Sequence, residues 1–142
     1  MSEGGSVRDR ILQTAMKLFY SQGIKSTGIN QIIEESKVAK ASFYHHFPSK
    51  RDLIKECVIS YDNIIKNQMV SVVLDSHSFN DFVKKWIVVI KGDFQVMYRG
   101  CPIAESGFQL NSEDPEMMEL VKQIIHGWEH LVAQFLNKMI KK

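Results

Sequence analysis

Residues 37–50 read KVAKASFYHHFPSK, and the reading of this stretch decides the fold. It holds three aromatics, two adjacent histidines, three lysines and one proline, with no acid. Proline disfavours helical geometry in the residue before it, so a helix over 40–47 must stop at Pro48. Within that helix Phe43 and Phe47 fall four apart on one side, and Tyr44 turns outward. Upstream, Ile29, Ile32 and Ile33 mark a short helix over residues 29–36, leaving only residues 37–39 as a joint. Two short helices across a three-residue turn, packed on a preceding helix, make a helix-turn-helix. The second helix of such a pair can enter a major groove and present its N-terminal side chains to base edges. Ile29, Ile32, Val38 and Phe43 would pack the pair against Leu18 and Phe19. That leaves Lys40, Ser42, Tyr44 and His45 or His46 for the opposite face. Lys50, beside the open amides of the next helix, stands where a phosphate oxygen is favoured.

The remaining elements follow from caps and period. Ser6 with Asp9 three residues on starts a first helix, Val7, Ile11, Ala15, Leu18 and Phe19 recur at helical spacing, and Gly23 closes it. Ser49 and Asp52 open a long fourth helix reaching about Leu74. Ser78 caps a fifth that runs from Phe79 toward Tyr98, with Gly92 weakening its second half. Pro102 suits the first turn of a short sixth helix. Asp114 caps the last, with Pro115 at its first position. Nothing alternates with a period of two. The expectation is an all-α chain: a three-helix helix-turn-helix domain over residues 1–48 and a helical body over 49–142.

Composition narrows the function classes. Of 142 residues, 44% are hydrophobic and 24% charged, the ordinary globular range. No apolar run approaches the ~18–20 residues that span a bilayer. The opening MSEGGSVRDR lacks the apolar centre of a signal peptide, so a cytoplasmic location and no membrane partner are expected. Net charge is only +2 but is unevenly spread: residues 1–56 carry nine Lys/Arg against six Asp/Glu, and residues 57–142 nine against ten. A basic end points to a polyanion there. His45 and His46 point about 100° apart and cannot converge on one metal ion. No nucleophile elbow or zinc-protease pattern occurs, so neither a metal, a cofactor nor an enzyme is expected. Cys57 and Cys101 fit no CxxC pattern and read as buried thiols. Cys101, near a helix start, has a sensor thiol as its alternative.

The stretch ILQTAMKLFYSQGIKSTGINQIIEESKVAKASFYHHFPSKRDLI resembles the DNA-binding domain of the tetracycline-repressor (TetR) family of bacterial transcriptional regulators. The likeness rests on A-x-x-L-F-x-x-x-G in the first helix, T-x-I-x-x-I in the second, and Y-H-H-F-P-S-K closing the third. Further on, RGCPIAESGFQL resembles the start of the family's sixth helix. The resemblance implies a homodimer, a roughly palindromic double-stranded DNA operator, and a small-molecule effector held in the body. Carried over by position, Lys40, Ser42, Tyr44 and His45 would face DNA, with His46 near phosphate. Thr27 and Asn30 would approach the backbone from the second helix, and Lys50 from the fourth.

The chain departs from the family pattern at four places. Lys37 stands where glycine is common, at roughly 1 kcal/mol if left-handed. Ile33 replaces a small alanine. Gly28 stands where Thr or Ser usually caps the second helix, leaving Thr27 as a substitute cap. The chain also ends at Lys142, short of the two further helices with which the family usually builds its dimer.

Trp86, Phe94, Tyr98, Phe108, Trp128 and Phe135 are candidates for an effector pocket, against the plain reading that aromatics at helical spacing are core. The function expected is a repressor released by its effector. The alternative is a ligand- or protein-binding helical module that has lost operator binding.

Overall fold

A computed structural model of the chain describes residues 5–92, 100–110 and 114–140. Among these there are seven α-helices and no strand: α1 (Val7–Gln22), α2 (Ile29–Ser36), α3 (Lys40–His46), α4 (Lys50–Asp75), α5 (Phe79–Gly92), α6 (Pro102–Leu110) and α7 (Pro115–Ile140). Packing divides the chain inside α4, into one unit ending at Ser60 and another beginning at Tyr61.

Caps set the helix starts as the sequence predicts. Ser6 and Asp9 form a reciprocal capping box, and the two bonds from Ser6 hold the Asp9 carboxyl below its ordinary pKa. Ser49 accepts from the Asp52 amide at 3.1 Å while its hydroxyl donates to the Asp52 carboxylate at 2.6 Å. Ser78 and Asp114 accept from the Asp81 and Met117 amides. Pro102 and Pro115 open their helices, where a missing N–H costs nothing. The second helix has no side-chain cap: Gly28 holds the position, and Thr27 does not substitute. The expected continuation of the fifth helix toward Tyr98 lies outside the described residues.

In the first unit, Ile11, Ala15, Leu18 and Phe19 of α1 bury one face. Ile32 of α2, Phe43 and Phe47 at α3, and Leu53, Ile54, Cys57 and Val58 of α4 are buried with them. Burial, helped by the neighbouring Glu56 carboxylate, pushes the Cys57 thiol well up from its ordinary pKa and leaves it an inert core group.

The second unit has a core of Val72, Phe82 and Phe135, flanked by partly buried Trp86, Val89 and Leu136. The Phe82 and Phe135 rings lie 4.9 Å apart, and Trp86 stacks on Phe82. Gly107 lets α6 sit close on α7: a Cβ there would come within 3.2 Å of the Val121 side chain. Asp62, a buried carboxylate, accepts from the Trp128 indole at 2.8 Å and from the Lys66 ammonium at 2.7 Å. No helix of the described residues is long and apolar enough to cross a membrane.

Candidate nucleic-acid interface

The joint between α2 and α3 is built by one left-handed residue. Lys37 has φ 54° and ψ 47°, its N–H bonds Glu34 O at 3.1 Å, and the Val38 N–H bonds Ile33 O at 3.3 Å. Those bonds satisfy carbonyls at the end of α2 and reverse the chain within three residues. Helix α3 then begins at Lys40 without a side-chain cap, so the amides of its first turn stay open.

The side chains of α3 sort by phase. Phe43 is fully buried and Phe47 is 1% exposed, with ring centroids 6.2 Å apart. Tyr44 is 41% exposed and meets the Phe43 ring edge-on at 5.3 Å, so a buried ring braces an outward one. Lys40 and His45 are exposed, and Ser42 and His46 are half-buried. Asn30 is exposed on the first turn of α2. Lys40, Tyr44 and His45 therefore share an outward side of one short helix, with no acid on it. The two imidazoles stand edge to face at 5.1 Å, and among the described residues no group of three metal-ligating side chains forms.

One expected contact is lost, and another side chain also serves the fold. Thr27 is 1% exposed; its hydroxyl donates to Gly23 O at 2.7 Å and accepts from the Gln22 amide at 3.2 Å. A hydroxyl sealed and satisfied in this way builds the α1–α2 turn and has no surface to offer a phosphate, which corrects the expectation. Lys50 is half-buried, and its ammonium donates to Ile24 O at 2.6 Å. Desolvation pulls its pKa down. The ammonium ties α4 to the loop before α2 while keeping further N–H donors.

The body residues divide similarly. Trp86 packs on the Val72–Phe82–Phe135 core, and the polar edge of Trp128 is taken by Asp62. Phe108 is 82% exposed, because α6 turns Ile103, Ser106 and Gly107 inward and leaves Phe108 on its outer side. Its expected place in an interior pocket is therefore corrected. Phe94 and Tyr98 lie outside the described residues. Sequence reasoning passed over Gln22, which reaches Gln31 at 2.7 Å and pins α2 to the end of α1, and Arg8, which pairs with Glu56.

Comparison with known proteins bears out the resemblance. The profile described as "Bacterial regulatory proteins, tetR family" matches residues 11–57, which hold the whole helix-turn-helix. The tetR-family likeness is shown over residues 11–57. The chain is similar along 96% of its length to YxaF, an uncharacterized HTH-type transcriptional regulator of Bacillus subtilis, at 27% identity and over 73% of that protein. Over 49% of its length it is 44% identical to the HTH-type transcriptional regulator LmrA of the same organism, covering 37% of LmrA. The crystal structure of a TetR-family transcriptional regulator from Streptomyces coelicolor superposes with a TM-score of 0.79 at 26% identity, over 92% of this chain and 70% of that one. These matches support a DNA-binding transcriptional regulator of the tetR type. The chain's relatives are regulators rather than enzymes.

Proposed function

We propose that this tetR-family regulator is a repressor, dimeric on a roughly palindromic operator, and released when a small molecule occupies its helical body. The observation that carries the reading is the sorting of α3: Phe43 and Phe47 inward, Lys40, Tyr44 and His45 outward. In that reading Lys40, Ser42, Tyr44 and His45 meet the major groove, Asn30 and His46 lie toward the backbone, and Lys50 reaches phosphate with the donors that Ile24 leaves open. One of the relatives is named a transcriptional repressor, KstR2 of Mycolicibacterium smegmatis, 36% identical over 55 residues. In that reading Trp86 and Trp128 would line the space taken by the effector. Release follows by population shift, its size set by the effector's differential affinity for two helix spacings. Selecting bound sequences from random duplex DNA at stated salt tests the proposal. A palindromic consensus supports it, and no enrichment overturns it.

Substitutions separate the roles. Lys50→Ala should weaken binding to all sequences and lower the slope of log affinity against log salt by about one unit. An unchanged slope would show that Lys50 serves only the Ile24 contact. Lys40→Ala should instead change which half-site is preferred, since base-edge contacts are worth about 1–3 kcal/mol of discrimination. Repeating the selection with the variant checks this.

A further inference from the structure

Arg8 sits in the first turn of α1, where the helix dipole disfavours a cation. A basic side chain there is better explained by what it reaches than by its own helix. The guanidinium pairs with Glu56 of α4, 48 residues away, and lies over the Phe47 ring at 5.3 Å from its centroid. Phe47 is the C-cap of α3: its N–H closes the helix on Phe43 O at 2.8 Å, and Pro48 follows. Phe47 in turn touches Phe43, and Phe43 carries Tyr44 edge-on. Glu56, Arg8, Phe47, Phe43 and Tyr44 thus form one chain of contacts from α4, through α1, to the outward side of α3.

An exposed ion pair by itself is worth little. Here the cation is held by a carboxylate on one helix while it lies over the ring that ends another. That geometry fixes where α3 stops relative to α1 and α4. We infer that Arg8 is a positioning residue for DNA reading: clamped by Glu56, it seats Phe47 and so sets the pose of α3 without touching DNA. The inference rests on α3 being the reading helix.

The test uses the full chain with Arg8→Ala, Glu56→Gln, the double variant, and a duplex selected by the unaltered protein. Arg8→Ala should weaken specific binding about three- to tenfold, the scale of one exposed cation–π contact plus one ion pair. Non-specific affinity and the salt slope should stay as they were. The double variant should add little to Arg8→Ala alone, because the two residues act as a unit. A salt slope lower by about one would make Arg8 a phosphate contact and overturn the inference. So would equal losses on specific and random DNA. Amide NMR supplies a readout independent of DNA: Arg8→Ala should shift the Phe43 to Phe47 amides and leave those of α7 in place. Unmoved α3 amides overturn the clamp even if DNA binding falls. If the unaltered protein selects no duplex, the reading of α3 fails, and the amide shifts alone decide the clamp.

Discussion

Phe43→Ala is expected to destabilise the DNA-binding unit by about 3–5 kcal/mol and to abolish operator binding at ordinary temperature. The ring is fully buried, touches Phe47, and braces Tyr44, so its loss leaves a cavity at the point where α3 is held. A change of that size consumes much of the stability a small domain has. Two features make the result diagnostic. Both tryptophans, Trp86 and Trp128, belong to the second unit, so indole fluorescence follows that unit and not the first. Urea unfolding followed by circular dichroism should therefore show an early loss of helix in Phe43→Ala. The tryptophan transition should stay near its original midpoint. A single unshifted transition by both probes would mean that Phe43 is not the keystone the packing makes it.

The second large effect lies at the other end of the chain. Phe135→Ala removes a 4% exposed ring from the core it shares with Phe82 and Val72, again at about 3–5 kcal/mol. Here the probes exchange roles. The tryptophan transition should move to lower urea, because Trp86 stacks on Phe82 and reports this core directly. Non-specific DNA affinity, a property of the basic first unit, should be retained at denaturant concentrations where the tryptophan signal is already lost. A midpoint unmoved in Phe135→Ala would show that α7 does not depend on this ring.

What the sequence made legible was local. Ser6 with Asp9, Ser49 with Asp52, Ser78, Asp114, Pro102 and Pro115 each act within one helical turn, so spacing along the chain reveals them. The inward places of Phe43 and Phe47 follow from helical phase and a proline, and were equally visible. What stayed hidden lies in partners far off in sequence or in a phase that a short helix leaves open. Thr27 looks like an exposed cap until Gln22 and Gly23 close over its hydroxyl. Lys50 sits 26 residues from the carbonyl it bonds, and Trp128 sits 66 residues from Asp62. Phe108 was read into a pocket as one of several aromatics, on a nine-residue helix too short for its phase to be secure. Arg8 left one clue, a cation at the wrong end of a helix, which only the Glu56 and Phe47 contacts make meaningful.

The left-handed Lys37 sets selection for stability against selection for charge. Among the described residues it is the one non-glycine position with positive φ, and glycine would adopt that conformation with no Cβ penalty. Relief of about 1 kcal/mol would shift the folded-to-unfolded ratio roughly fivefold. Glycine would also delete an exposed ammonium from the corner where α3 begins. A tighter-folding variant of this regulator is thus one substitution away, and the same substitution subtracts a positive charge beside the helix proposed to meet a polyanion.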